Sequence, residues 1–267
     1  RPQRGDEYRF MGAFIDNECA LERCRGTAPG LGFRGWFFNP QSWAPPCGRR
    51  TAVAGAEVAY YYTGYASLSE SLASAESFAS EPAAGVRRWL TVGGANDGNG
   101  ACGAAGSGLW GKETLREDTF RNVRSLLGGS SIGFEGVLFN FERSTEDVTI
   151  RSTTRAIHAV VRAGYKAAVT VGGCMPRGWT SSSATPSEFA RAWGRDMNLE
   201  FFAPQMYDGT GETYATTGCQ ADDWRMLRYF HVPIVPATPR LSDLEEYFDT
   251  GTEESGSANA AITADIT

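Results

Sequence analysis

The segment 133–142, which reads GFEGVLFNFE, constrains the fold more than any other part of the chain. In an extended strand, side chains alternate between two faces, so Leu138, Asn140 and Glu142 share one face. The valine and the phenylalanines between them share the other face, which needs a covering layer of helices. A carboxylate at the end of such a strand lies where α/β barrels keep their catalytic residues. Glu142 is therefore the first candidate for a functional residue.

Strand-like segments alternate with amphipathic helices along most of the chain, as they do in a parallel sheet with crossover helices. The predicted strands cover residues 8–16, 57–65, 86–93, 134–142, 166–173, 199–207, 232–238 and 259–266. A TIM-type barrel commonly needs roughly 250 residues, and the chain has 267. We therefore predict a single α/β domain, 1–267, folded as a TIM-type (β/α)8 barrel.

Two segments interrupt this alternation. Residues 17–55 are rich in Gly, Pro and Cys and have no helical period, which predicts an irregular excursion in the first crossover. Residues 251–267 begin with a stretch rich in Gly, Ser and Glu, and we expect them to form a weak last strand or a tail. The barrel is therefore expected to be irregular in both places.

Helix starts are marked by the capping-box spacing, in which a Ser or Thr is followed three residues later by Glu. The pairs are Ser67 with Glu70, Thr185 with Glu188, and Ser242 with Glu245. Each pair predicts that a helix begins directly after the Ser or Thr.

The composition disfavours several classes of partner and location. The formal net charge is -6, whereas binding to nucleic acid or to an anionic membrane needs clustered Lys and Arg. No apolar run approaches the roughly 20 residues that span a bilayer. The six cysteines are compatible with disulfides in an oxidising compartment, with buried free thiols as the alternative. We expect a secreted or extracellular protein with no nucleic-acid partner and no membrane insertion.

The chain offers few residues for metal or histidine chemistry. Its two histidines, His158 and His231, come with neither a nucleophile motif nor a second metal ligand at helical spacing. The chain has no CxxC pair, which disfavours a zinc ribbon. Residues 106–112 match most of a phosphate-binding loop, but Glu113 stands where the motif needs Ser or Thr. We therefore expect carboxylate chemistry without a metal or cofactor.

Three segments together resemble glycoside hydrolase family 18, the chitinases and chitinase-like lectins. Residues 134–142 resemble the fourth-strand motif of that family, DGxDxDxE. Residues 91–94, Thr-Val-Gly-Gly, resemble its third-strand SxGG motif, and residues 203–208 are similar to its sixth-strand segment, in which a Tyr faces the bound sugar. The resemblance implies a TIM-type barrel that acts on glycans containing N-acetylglucosamine.

The chain departs from the family motif at three positions. Glu135, Leu138 and Asn140 stand where the family has aspartates, and only the terminal Glu142 is kept. In the family, the aspartate beside the glutamate orients the acetamide of the substrate and balances the charge of the oxazolinium ion. Family 85 endo-β-N-acetylglucosaminidases carry an Asn-x-Glu pair at this point, so the local string resembles both families.

The resemblance implies roles for individual residues. Glu142 would act as general acid and then as general base, Asn140 would orient the substrate acetamide, and Tyr207 would face the sugar. The expected substrate-binding residues are Gln205, Asp208, Trp110 and Trp179, the two tryptophans being placed in loops where an exposed ring could stack on a sugar. The expected ligand is chitin or a chitooligosaccharide.

A second interpretation belongs to a different class of protein. Because Leu138 and Asn140 replace motif aspartates, the chain fits equally a catalytically inactive, chitinase-like barrel. Such a protein would bind glycans or serve as a structural component of an extracellular assembly, with extracellular protein partners. A barrel fold alone does not decide between the two interpretations.

Overall fold

The computed structural model describes residues 11–12, 35–38, 58–62, 65–76, 85, 87–94, 109–171, 181–204, 230–235 and 237–238. The strands are β1 (Met11–Gly12), β2 (Gly35–Phe38), β3 (Val58–Tyr62), β4 (Arg87–Gly93), β5 (Gly136–Phe141), β6 (Lys166–Val171), β7 (Phe202–Pro204) and β8 (Ala237–Thr238). The helices are α1 (Leu68–Glu76), α2 (Glu117–Arg121), α3 (Val123–Gly129), α4 (Ile150–Arg162) and α5 (Pro186–Gly194). None of the helices in these ranges is long and apolar enough to cross a membrane.

The strands form one eight-stranded sheet in the order β7-β6-β5-β4-β3-β2-β1-β8. Every pairing between neighbouring strands is parallel. Parallel neighbours need a crossover that returns the chain to the same edge, and helices supply it between β3 and β7. The predicted α/β class with a parallel sheet is confirmed.

Strand β2 was not predicted from the sequence. It lies within residues 17–55, which were predicted to be an irregular excursion, and it pairs with both β1 and β3. Its four residues are too few to show a period, and a Gly/Pro-rich segment surrounds them. Non-local pairing therefore specifies this strand. The predicted last strand, 259–266, lies outside the described residues.

The two faces of the sheet bury different clusters of side chains. The larger cluster, on the helix-covered face, contains Val137, Phe139 and Phe141 of β5 together with residues of the helices. The smaller cluster occupies what we call the inner face, and it consists of Val58, Tyr60, Trp89, Leu138, Ala168, Phe201, Ala203 and Val235. The alternation predicted for residues 137–141 is thus confirmed.

Three aromatic rings fill the part of the inner face nearest the amino ends of the strands. Tyr60 meets Trp89 edge-on at a centroid distance of 6.0 Å and Phe201 at 6.3 Å. Trp89 and Phe201 lie 5.6 Å apart. Gly136 makes room for this packing, because a Cβ there would lie 2.7 Å from the Lys166 carbonyl oxygen and 3.0 Å from the Trp89 ring.

Opposite charges line the amino ends of four neighbouring strands. The Lys166 ammonium group lies 2.6 Å from a Glu135 carboxylate oxygen and 3.8 Å from one of Glu200. The Arg87 guanidinium lies 3.9 Å from the same Glu135 oxygen. Glu135 stands at the first aspartate position of the resembled motif. It contacts these basic side chains at the amino end of β5, whereas Asn140 lies near the carboxyl end of the strand.

Helices α4 and α5 both begin with a capping box. In α5, as predicted, the Thr185 hydroxyl accepts from the Glu188 N–H at 3.3 Å, and the Glu188 carboxylate accepts from the Thr185 N–H at 2.7 Å. In α4, Thr149 and Ser152 make the same reciprocal contacts. The α4 box escaped prediction because Ser, and not Glu, occupies the third helical position.

We expect Thr185→Ala to lower the free energy of unfolding by about 0.5–2 kcal/mol near neutral pH, because the N-cap hydroxyl is lost. The hydrogen bonds from the Thr185 backbone and side chain hold the pKa of Glu188 below its ordinary value. A carboxylate with a lowered pKa stabilises the fold above its unfolded-state pKa, and this contribution is lost as the pH falls through the folded-state pKa.

Urea unfolding at several pH values checks this prediction. The difference between wild type and Thr185→Ala should shrink as the pH falls below the ordinary range of glutamate. Thr185→Ser, which keeps the hydroxyl, is the matched control and should stay close to wild type. A wild-type-to-alanine difference that is the same at all pH values would contradict the coupling between the two residues.

Candidate functional site

A row of four residues crosses the inner face at the carboxyl ends of β4 to β7. The pairing register aligns Gly93 with Asn140, Asn140 with Thr170, and Thr170 with Ala203. We call these four residues the inner row. Asn140 is 3% exposed and Thr170 is 0% exposed. Two polar side chains thus lie side by side, flanked by two residues with little or no side chain.

Glu142 follows directly after the inner row. Strand β5 ends at Phe141, so Glu142 is the first residue beyond the strand and lies two residues after Asn140. It is half-buried, whereas the next residue, Arg143, is exposed. The structure therefore places Glu142 at the carboxyl end of β5, two residues after Asn140.

Trp110 was predicted to lie in an exposed loop and to stack on a sugar, and this prediction is wrong. Its side chain is 0% exposed. The ring packs on the helix-covered side of β5, with its centroid 4.8 Å from that of Phe141 and 6.0 Å from that of Phe139. A ring enclosed in this way has no free face for a ligand.

Trp110 instead holds the end of β5 in place. Its indole N–H donates to the backbone carbonyl oxygen of Asn140 at 2.8 Å. Its backbone N–H donates to the Arg143 carbonyl at 3.0 Å, and its carbonyl accepts from the Thr145 N–H at 2.8 Å. These three bonds bracket Glu142 along the chain, so Trp110 fixes the backbone on both sides of the candidate acid.

Gly93 permits this arrangement. It has a φ of +90°, a left-handed conformation that favours glycine. A Cβ at Gly93 would overlap the Asn140 carbonyl oxygen and the indole of Trp110. The glycine in the SxGG-like segment is therefore required by the close approach of β4, Trp110 and β5.

The loop after Glu142 is attached to the loop before α5. The Ser182 N–H donates to the Glu146 carbonyl at 3.0 Å, and the Ser181 hydroxyl donates to the Val148 carbonyl at 2.8 Å. These bonds limit the freedom of the backbone that carries Glu142 away from the strand.

Thr170 was not singled out from the sequence. Its hydroxyl oxygen is buried and has no hydrogen-bond partner among the described residues. The signal was present in the strand KAAVTV, where alternation places Thr170 on the same face as Ala168. Thr170 is therefore the polar residue that β6 contributes to the inner face at its carboxyl end, at the opposite end of the strand from Lys166.

The remaining predicted site residues, Gln205, Tyr207, Asp208 and Trp179, lie outside the described residues, as do all six cysteines. Gln205 follows directly after β7 in the chain. Because β2 precedes them, the three resembled segments fall on β4, β5 and β7, each one strand later in chain order than in the resembled family. Their order and relative spacing are kept.

The titratable groups in the rest of the described structure form no comparable site. Within the described ranges, no group of three or more His, Cys, Asp or Glu side chains is arranged to hold a metal ion. His158 lies on α4, where its Nε2 atom is 2.7 Å from an Asp196 carboxylate oxygen and 3.0 Å from the Asn198 amide nitrogen. This contact joins α4 to the segment after α5, away from the inner face.

Comparison with known proteins gives no family assignment. No protein-family model matches the chain, and no curated protein matches it. Among solved structures, the chain is similar to a protein from Coccidioides immitis that is provisionally assigned as a fructose-1,6-biphosphate aldolase. The sequence identity is 13%, the TM-score is 0.38, and the match covers 99% of this chain and 90% of that chain. This score is too low to transfer a fold or an activity.

Gly93→Ala should lower the free energy of unfolding by about 2 kcal/mol or more, because the new Cβ both strains the backbone and collides with its neighbours. Gly129→Ala, at the end of α3, is the control, since nothing lies within 4 Å of a Cβ there. Chemical denaturation followed by circular dichroism measures both changes. Equal midpoints for Gly93→Ala and wild type would contradict the packing described for Gly93, Trp110 and Asn140.

Proposed function

We propose that the protein is a chitinase-like glycoside hydrolase that acts on β-1,4-linked N-acetylglucosamine glycans. The observation that carries the proposal is the position of Asn140. Its carboxamide is buried on the inner face at the carboxyl end of β5, and the half-buried Glu142 follows two residues later. This arrangement fits an Asn-x-Glu pair whose amide orients a substrate beneath a proton donor.

We further propose that the sheet closes into a TIM-type (β/α)8 barrel. Ile234 forms a parallel bridge with Phe202 of β7, and Ala237 of β8 pairs with Met11 of β1. The short segment from Ile234 to Ala237 thus contacts both ends of the remaining sheet, which supports closure. The inner face is then the interior of the barrel, and the inner row lies near its catalytic end.

The proposed reaction is substrate-assisted. Glu142 donates a proton to the glycosidic oxygen while the acetamido oxygen of the same sugar attacks its anomeric carbon, so that the bond to the leaving oxygen breaks and an oxazolinium ring forms. Asn140 accepts a hydrogen bond from the acetamido N–H and so directs the oxygen toward that carbon. The Glu142 carboxylate then accepts a proton from the water that opens the oxazolinium ring. Two displacements at one carbon retain its configuration.

The other expected contacts belong to the same proposal. Tyr207, Gln205 and Asp208 follow in the sequence after β7, the strand that contributes Ala203 to the inner row, and they are retained as the proposed sugar-binding residues. Trp179 precedes α5 and is retained as a stacking candidate, whereas Trp110 is not. The proposed ligand is chitin or a chitooligosaccharide, and the proposed reaction uses no metal or cofactor. We also propose that the protein is secreted and that its cysteines form disulfides.

A specific observation favours the second candidate function, glycan binding without turnover. Leu138 is 0% exposed and belongs to the apolar cluster of the inner face. Leu138 stands where the resembled motif has an aspartate, which can pass a proton to the neighbouring aspartate of the motif. An aliphatic side chain packed in this way leaves Glu142 without that support, so binding could persist after catalysis is lost.

A mass-spectrometric time course with N-acetylchitooligosaccharides of four to six sugars separates the candidates. We expect wild type to release shorter products and Glu142→Gln to be slower by about 10²–10⁴-fold, because the general acid is lost. Asn140→Ala should be slower by about 10²-fold, because the acetamide is no longer oriented.

Glu146→Gln is the matched control, since Glu146 is an exposed glutamate in the same loop, and it should retain wild-type activity. Binding of the oligosaccharides without cleavage by wild type would establish the second candidate function. Neither binding nor cleavage would contradict both. Cleavage that survives in Glu142→Gln would contradict the assignment of the general acid.

A further inference from the structure

The hydroxyl of Thr170 lacks a structural purpose within the described part of the protein. Its oxygen is buried and has no hydrogen-bond partner there, and the side chain is 0% exposed. Folding that strips water from a hydroxyl without replacing the hydrogen bond destabilises the folded state. A valine would fill the same space at no such cost. An unpaired buried hydroxyl of this kind is explained if its hydrogen-bond partner belongs to a bound ligand.

The surroundings of Thr170 point to where that ligand lies. The pairing register places Thr170 between Asn140 and Ala203. Neighbouring strands in a sheet lie about 4.8 Å apart, so the hydroxyl and the carboxamide can contact the same small group. Ala203, at one end of the inner row, carries only a methyl group beside Thr170, whereas the position of a side chain at Gly93 is taken by the Asn140 backbone and the Trp110 indole.

We propose that Thr170 is a substrate-contacting residue that binds the acetamido group of an N-acetylglucosamine unit together with Asn140. The inference rests on the proposed function and adds a specificity determinant to it. Thr170 does not exchange protons with the glycosidic bond. Its role is to favour sugars that carry an N-acetyl substituent over sugars that carry a hydroxyl at that position.

The chemistry of the acetamido group matches the inner row. The group presents one N–H donor, one carbonyl acceptor and a methyl group. The Asn140 carboxamide and the Thr170 hydroxyl can each donate and accept a hydrogen bond, so the pair satisfies both polar atoms. The methyl group fits beside Ala203. A sugar hydroxyl is smaller than the acetamido group and cannot contact both Asn140 and Thr170. One buried polar atom then stays unpaired, which weakens binding.

Thr170→Val tests the inference, because valine keeps the shape of threonine and removes only the hydroxyl. Affinities for N-acetylchitotetraose and for cellotetraose are measured by calorimetry in the Glu142→Gln background, which prevents turnover. We expect the affinity of Thr170→Val for N-acetylchitotetraose to fall about tenfold, while that for cellotetraose is unchanged. Thr170→Ser, which keeps the hydroxyl, should retain the parent preference.

The melting temperature without ligand distinguishes a binding role from a structural one. We expect Thr170→Val to melt at the same temperature as the parent or higher, since it removes an unpaired buried hydroxyl. A clearly lower melting temperature would overturn the inference, and so would unchanged affinity for N-acetylchitotetraose. In both cases the proposed function would stand if the parent binds that ligand. A parent that shows no preference for N-acetylchitotetraose would overturn the proposed function and the inference together.

Discussion

The burial of β5 on both faces is the constraint on which the rest of the structure depends. All six of its residues are buried, and a polar side chain in such a strand is costly unless hydrogen bonds satisfy it. The strand nevertheless carries the buried side chain of Asn140, and the backbone carbonyl oxygen of this residue accepts a hydrogen bond from the indole N–H of Trp110. Gly93 allows both to approach. The polar position is therefore built into the packing of three separate segments.

Stabilising contacts and the candidate site lie at opposite ends of the strands. At the amino ends, Glu135 and Lys166 form a close ion pair, and Trp89 packs with other aromatic rings on the inner face. At the carboxyl ends, Asn140 and Thr170 lie side by side. In α/β barrels, likewise, residues at the amino ends of the strands serve stability and residues at the carboxyl ends serve catalysis. This division explains why Glu135 can differ from the resembled motif without altering the candidate site.

The sequence predicts those features of the fold that depend on residues close together in the chain. The division of β5 into two faces and the helix start at Thr185 depend on spacing within a few residues, and both were predicted. Strand β2 and the burial of Trp110 were not, because each depends on contacts with segments far away in the chain. The adjacency of Thr170 to Asn140 depends on the register between β5 and β6, which periodicity cannot supply.

The central claim is that the inner row and Glu142 form one ligand-binding site. A crystal structure of Glu142→Gln with N-acetylchitotetraose tests it most directly. The account predicts a sugar at the carboxyl end of β5, with its acetamido group within hydrogen-bond distance of Asn140 and Thr170 and its glycosidic oxygen beside residue 142. A sugar bound elsewhere on the protein, or with its acetamido group directed away from the inner row, would contradict it.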